Sequence, residues 1–355
     1  MSRRDHLRFA RFDHTTPSLA CGTCPLFVHC GGLVRVGGGW DCTDDCSLCD
    51  KSRCDRVCFS KQSQFAIDKA EVGGYSIMGM PPLQQAKREI PRFVPVLHHG
   101  AGRALPFRAD IVAIPLAVAC GLAKRFGSHA GDIVRHRFGV HEDTELMILG
   151  IGKDRGIESY WRDHRKLDLP ALLAQMGFRF GITPNYSYLL NEPRTQHLHN
   201  RKRIVKVAAS WSQAGISPIP VLQAVSAHDW SIWGEYLGEH TEIRSVAVEL
   251  QTGGRMLDRA LGVVEQLARL QDQTGRALHP LLVGGTHVVS QLTQKFESWT
   301  VVNSMPLQQA IHRMRLGFGN GKLRAEKDLN ADRDELLLHN DIMYRRYIDA
   351  KARHD

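Results

Sequence analysis

Short apolar runs punctuate the chain from about residue 90 onward. They are 93–99 (FVPVLHH), 110–116 (DIVAIPL), 145–151 (ELMILGI), 178–183 (FRFGIT), 217–224 (SPIPVLQA), 245–251 (SVAVELQ), 279–285 (HPLLVGG) and 299–304 (WTVVNS). Several are apolar without alternation, the pattern of strands buried on both faces of a parallel sheet. Between most of them the apolar spacing changes to the helical period. The stretches 169–177, 201–215 and 255–275 each end in glycine, a usual helix stop. Residues 335–353 read as a closing helix, and 317–334 as a loop. Strands alternating with helices in this way predict an α/β fold, a (β/α)8 TIM-like barrel. The link from 93–99 to 110–116 is too short for a full helix. Either that unit is irregular or the first run lies outside the barrel. An open doubly wound sheet is the alternative. No G-x-G-x-x-G follows the first run, which argues against dinucleotide binding.

Before residue 60 the pattern is different. The segment is rich in glycine and cysteine and shows little hydrophobic periodicity. Such a segment cannot build a conventional core and needs cross-links or metal to hold a shape. The chain therefore divides into a cysteine-rich metal-binding module over 1–62, a linker over 63–90, and a barrel with its C-terminal helix over 91–355. The module holds Cys21, Cys24, Cys30, Cys42, Cys46, Cys49, Cys54 and Cys58. Eight thiolates fit two four-coordinate sites with none left over. Zn2+ commonly takes cysteine pairs two to four residues apart. In one partition Cys21, Cys24, Cys46 and Cys49 share one ion, and Cys30, Cys42, Cys54 and Cys58 share the other. Sequential pairing is equally allowed, and a [4Fe-4S] cluster needs the same four thiolates. Cys42, Cys46 and Cys49 also have the C-x3-C-x2-C spacing of radical S-adenosylmethionine enzymes, which they resemble. That family usually carries an aromatic residue just before the third cysteine, where Leu48 stands here. Cys120, within LAVACGLA, reads as a small buried hydrophobe.

Charge narrows the class of partner. Lys and Arg number 46 against 37 Asp and Glu, a net charge of +9 over 355 residues. An excess of that size favours a polyanion, most simply DNA or RNA. The N-terminal residues contain no apolar run of signal-peptide length, and no window reaches the length needed to cross a bilayer. A cytoplasmic protein without membrane contact is the expectation. The basic segment 191–206 holds Arg194, Arg201, Lys202, Arg203 and Lys206, with His197 and His199, and at a barrel mouth it would grip a phosphate backbone. Asn200 would cap the helix that follows, leaving its first-turn amides for a phosphate. Trp211, Trp230, Trp233 and Tyr236 are spaced like packing residues.

A barrel keeps its chemistry at the C-terminal ends of its strands. Those ends carry Gly152 and Asp154, Asn185 and Tyr186, Gln223, then Glu249, Gln251 and Thr252. Gly284, Gly285 and Thr286 follow, and last come Asn303 and Ser304. The set is rich in amides, which place a donor beside an acceptor and can read the edge of a base. Glu249, beside QTGG, is the best-placed carboxylate; Asp154, Glu158 and Asp229 are the others available.

The motifs PIPVLQAV, VAVELQTGG, LLVGGTH, TVVNSMPLQQA and ELLLHNDIMYRRYI, in this order, resemble the tRNA-guanine transglycosylase (queuine tRNA-ribosyltransferase) superfamily. They also resemble phage and bacterial relatives that insert 7-deazaguanines into DNA. The resemblance spans about residues 140–350 and rests on motif order. It implies base exchange on guanine in DNA or tRNA, with Gln223 as a base-binding residue. Asn185 and Asn303 stand where the family carries its base-binding and nucleophilic aspartates. The family's zinc ligands come late in the chain, whereas those here come before residue 60. Three outcomes stay open, one of them a radical S-adenosylmethionine enzyme that uses Cys42, Cys46 and Cys49. Another carboxylate, Glu249 first and Asp154 next, does the work, or the chain is a non-catalytic nucleic-acid-binding protein of a mobile element or phage-defence cluster.

Overall fold

The computed structural model describes residues 26–31, 62–98, 103–188, 194–251 and 257–353. Of the expected metal ligands only Cys30 falls within them; Cys21, Cys24, Cys42, Cys46, Cys49, Cys54 and Cys58 lie outside the described residues.

Among the described residues, eight parallel strands form the centre. They are β1 (Phe93–Pro95), β2 (Ile111–Pro115), β3 (Glu145–Leu149), β4 (Phe178–Ile182), β5 (Ser217–Ile219), β6 (Ser245–Leu250), β7 (His279–Gly284) and β8 (Thr300–Asn303). One run of pairing is β2-β3-β4-β5 and the other is β1-β8-β7-β6. Two parallel bridges join the runs. Val96 pairs with Ala113, tying β1 to β2, and Val221 pairs with Ala247, tying β5 to β6. The sheet is therefore a closed barrel, which removes the open-sheet alternative. The first apolar run is a barrel strand, and the β1–β2 unit is the irregular one, with no helix among its described residues.

Alternation along each strand sorts the side chains. Val94, Ala113, Met147, Phe180, Ile219, Ala247, Val283 and Val302 belong to an apolar cluster filling the barrel interior. Phe93, Val112, Ile148, Val248, Leu282 and Val301 belong to the larger cluster between the strands and the surrounding helices. Burial on both faces is why these strands read as unbroken apolar runs. Each large interior side chain contributes about 1.5–3 kcal/mol of transfer free energy. Ala247 shows 0% exposure, so Ala247→Leu would overpack the interior at a cost of about 1–3 kcal/mol.

The helices that follow the strands are α3 (Leu116–Phe126), α4 (Ala130–Phe138), α5 (Asp154–Asp163), α6 (Leu169–Gln175), α7 (Arg194–Gln213), α8 (Ala227–Glu239), α9 (Leu257–Thr274), α10 (Val289–Lys295) and α11 (Met305–Ile311). Two short helices precede the barrel, α1 (Phe27–Cys30) and α2 (Gln62–Val72). Both pack on α7. Helix α7 is consequently buried almost all round rather than along one stripe. Cys120 is buried in α3, and burial pushes its thiol up to about 12. Trp211, Trp233 and Tyr236 are fully buried packing residues, as their spacing implies.

The span expected to be a linker is folded onto the barrel. After α2 the chain runs beneath the N-terminal ends of β5 and β6. The Gln85 amide donates to the Pro218 and Ser245 carbonyls at 2.8 Å each and accepts from the Arg244 and Ser245 backbone at 2.9 Å each. Leu83 N donates to Glu242, and Ala86 N to Ser217 Oγ. With its polar groups met by side chains, this segment needs no regular structure of its own.

The expected loop 317–334 is in large part a hairpin, β9 (Met314–Gly319) with β10 (Lys322–Lys327). Asn320 and Gly321 turn it at φ 50° and 70°, the left-handed pair of a type I′ turn. The Asn-Gly signal is present in the sequence but is hidden among flanking glycines. Helix α12 (Arg333–Arg353) closes the fold.

Candidate active site

Four of the cations expected to bind phosphate do not lie on the surface. Arg194, Arg201, Lys202 and Arg203 are 2%, 2%, 7% and 2% exposed. Helix α7 begins at Arg194, so Asn200 is interior to it and is no cap; its amide donates to the Ser187 carbonyl. Arg194 donates to both carboxylate oxygens of Asp229, at 3.1 and 2.7 Å, and Arg201 to Oδ1 at 2.9 Å. The free ends of these two guanidiniums reach α1. Arg194 donates to the Cys30 carbonyl at 2.9 Å and Arg201 to the His29 carbonyl at 2.7 Å. Those are C-terminal carbonyls of a helix, where cations are favoured. Gly31 then turns the chain at φ 67°, and a Cβ there would come within 2.4 Å of the His228 ring. Two cations expected to hold phosphate thus hold α1 and Cys30 against the barrel.

Arg203 has a different setting. It pairs with Glu158 and its guanidinium lies 3.6 Å from the Tyr186 ring centroid and 4.8 Å from that of Trp161. Lys202 donates to the Ser76 carbonyl. Tyr186, expected to meet substrate, is fully buried in this packing and does not line the mouth. The correction has one cause: period and charge cannot show that α1 and α2 cover α7.

The mouth itself follows from alternation. The interior cluster contains Val94 and Val96 of the β1 run, Ala113, Leu149, Ile182, Val221, Ala247, Val283 and Val302. Two residues beyond these, on the same inward parity, stand His98, Pro115, Ile151, Pro184, Gln223, Glu249, Gly285 and Ser304. His98 and Glu249 are the titratable members of this ring. Leu97 N still donates to Ala113 O at 2.9 Å, so pairing on the β2 side runs to the residue before His98.

Glu249 lies in β6, between Gln223 in the segment after β5 and Gly285 just after β7. Glu249 is half-buried, and its Oε1 accepts from Gln251 N at 2.5 Å. Gln223 is half-buried, and its Oε1 is a buried acceptor with no donor among the described residues. Its backbone carbonyl is held by Trp233 Nε1 at 2.9 Å, which fixes the residue on the strand end. Gly285 has φ 67°, and a Cβ there would lie 2.6 Å from Leu250 Cδ1. Glycine is needed both for the backbone and for the space.

The remaining expected residues serve the loops. Asn185 Oδ1 accepts from Gly152 N at 3.3 Å, and Asp154 accepts from Ser187 Oγ at 2.6 Å. These two contacts join the β3 and β4 loops, and Asp154 is exposed rather than set on the inward ring. Asn303 Oδ1 accepts from Met305 N at 2.9 Å, and its amide lies 3.5 Å from Thr286 Oγ1. Thr286 also shares a hydrogen bond with Tyr344 Oη at 2.7 Å. Asn303 thus starts α11 and links it to the β7 loop. Ser304 is the half-buried residue at the start of α11, and Gln251 is exposed. Thr252 lies outside the described residues. Sequence reasoning missed His98; the signal was the alternation Val94, Val96, His98 within one apolar run.

Among the described residues no group of three or more His, Cys, Asp or Glu side chains is arranged to hold a metal ion. No helix among them is long and apolar enough to cross a membrane. No protein-family model and no curated protein matches the chain. Solved structures similar to it include the tryptophan synthase alpha chain from Legionella pneumophila subsp. pneumophila, at 12% identity and a TM-score of 0.41, covering 72% of this chain and 91% of that one. Tryptophan synthase subunit alpha from Legionella pneumophila str. Paris is similar at 12% identity and a TM-score of 0.40, covering 73% and 92%. Likeness at this level carries no argument about function, and the barrel rests on its own strand pairing.

Proposed function

We propose that the protein acts on a nucleobase of DNA or RNA at the C-terminal mouth of the barrel, exchanging the base in the manner of the transglycosylases it resembles. One observation carries the reading. Gln223 presents a buried carbonyl oxygen with no donor among the described residues, just past the Val221–Ala247 bridge that joins its run to the strand of Glu249. An orphaned buried acceptor costs about 1–3 kcal/mol, a cost that a ring N–H or exocyclic amine of a base would remove. Glu249 is the carboxylate on the inward ring and is the nucleophile in this scheme. One of its oxygens attacks C1′ of the nucleotide as the C1′–N bond breaks and the electron pair leaves with the base. An incoming base then attacks C1′, the ester bond breaks, and the carboxylate is restored.

The net charge of +9 supports a polyanionic partner. With Arg194, Arg201, Lys202 and Arg203 of α7 buried and Lys206 half-buried, Lys153 and Arg155, both exposed beside the β3 end, are rim cations available to phosphates. Metal belongs to the cysteine-rich segment in this reading, as two Zn2+ sites or a [4Fe-4S] cluster. Cys30, buried against the barrel, is the described member of the set. Zinc there would hold the segment's fold, and no step of the exchange passes through it.

A second reading has its own support. Asn185 and Asn303 are both engaged in loop contacts and are not carboxylates, as expected of a nucleic-acid-binding protein without base-exchange chemistry. Incubation of guanine-labelled duplex DNA and of tRNA with unlabelled base separates the two. Release of label that Gln223→Ala and Glu249→Gln abolish supports exchange. Binding without release supports the second reading.

A further inference from the structure

We propose that His98 is the general acid–base group of the mouth, the proton-handling counterpart of Glu249. This rests on the base-exchange reading and deepens it. In the ring of inward residues, His98 and Glu249 are the two that titrate. The two residues just before His98 are paired, one on each side of the strand. Val96 N donates to Asn303 O of β8 at 3.0 Å, and Leu97 N donates to Ala113 O of β2 at 2.9 Å. The inward parity of Val94 and Val96 then carries to His98, which is half-buried. The interior of an eight-stranded barrel is just wide enough for side chains to fill. Inward residues of β1 and β6, three strands apart around the ring, therefore face one small volume. A substrate sugar held there has a carboxylate on one side and an imidazole on the other.

Departure of a neutral purine needs this arrangement. As Glu249 bonds to C1′ and the C1′–N bond breaks, the leaving nitrogen gains an electron pair. The His98 imidazolium gives that nitrogen a proton, and the base leaves neutral. In the second half the neutral imidazole takes the N–H proton of the incoming base as its nitrogen attacks C1′. The ester bond to Glu249 breaks, and both side chains return to their starting states. The cycle balances without an oxidant, a reductant or a further reactant.

The test uses leaving-group chemistry. A 7-methylguanine in DNA already carries positive charge and leaves without protonation, whereas guanine does not. Full-length wild type and His98→Gln are compared on guanine and 7-methylguanine oligonucleotides, with release of labelled base followed from pH 5 to 9. Thermal melting verifies that the variant folds. A loss of about 100-fold or more on guanine with less than about 5-fold on 7-methylguanine supports the role, a size typical of a lost general acid. The wild-type profile on guanine should also show an alkaline limb that the variant lacks. Equal losses on both substrates overturn the proposal while leaving base exchange standing. Failure of the wild type to release either base overturns base exchange and the role together.

Discussion

Asp229→Asn removes one charge from between two buried guanidiniums and leaves the side chain's shape almost unchanged. Asp229 is 1% exposed and lies 2.7 Å from Arg194 and 2.9 Å from Arg201. It also accepts from Val225 N at 3.0 Å, a bond the amide oxygen of asparagine can keep. At an effective dielectric of about 20, each ion contact at about 4 Å is worth about 4 kcal/mol before desolvation. Desolvating three charges offsets much of that sum. Removing one partner of a buried pair still costs about 3–5 kcal/mol, because the other charge is stranded. Two cations lose their partner here, so the upper part of that range is expected at pH 7. Burial works against the ionised carboxyl, but Arg194 and then Arg201 outweigh it and hold the group well below the usual carboxylate range. A carboxyl depressed in the folded state stabilises above its unfolded value near 4, and that contribution is lost as pH falls through the folded value. The wild-type advantage should therefore be full above about pH 5 and shrink below pH 4. Urea denaturation followed by fluorescence of the buried Trp211 and Trp233 measures it. Hydrogen exchange at 26–31 should rise in the variant, since the same arginines hold the His29 and Cys30 carbonyls. A loss below about 1 kcal/mol at pH 7, or no change at 26–31, would refute the reasoning.

Three further outcomes are expected. Burial lowers His279 from 6.5 to about 4, where its ring nitrogens meet Ser298 and Thr300 hydroxyls at 2.8 and 2.9 Å. The neutral form is favoured in the folded state, so up to about 3 kcal/mol present above pH 6.5 is lost as pH falls toward 4; denaturation of wild type and His279→Asn across that window should show a flatter curve for the variant. Gly285→Val places a β-branched residue at φ 67° against Leu250 and should cost at least about 1–3 kcal/mol by thermal or urea melting. Metal analysis of anaerobically purified protein should give about two zinc ions per chain, the number that eight thiolates hold four at a time; iron with sulfide would indicate clusters instead, and absence of both would remove the metal-stapled module.

The barrel was legible because its strands are buried on both faces, which writes each as an apolar run such as ELMIL of β3. The β9–β10 hairpin was not, because β10 faces solvent and carries KLRAEK, without an apolar stripe. The strand-end reading reached Gln223, Glu249 and Gly285, since position at a strand's end is a property of sequence. It put Tyr186 and Asp154 on the same footing, although both lie several residues past the ends of β4 and β3, where strand alternation no longer sets direction. The arginines of α7 were misplaced for a related reason. A helix covered on several sides by α1, α2 and the barrel can bury cations if Asp229 and Glu158 come from α8 and α5 to meet them. Those partners are 28 or more residues away in sequence, beyond any local pattern.

The most direct measurement is release of labelled guanine from duplex DNA and from tRNA by the full-length wild type, beside Glu249→Gln. Release by the wild type, with a stable sugar–protein ester trapped on Glu249 and no release by the variant, is the expected result. Release undiminished in Glu249→Gln, or tight binding of both nucleic acids with no release by the wild type, would contradict the account.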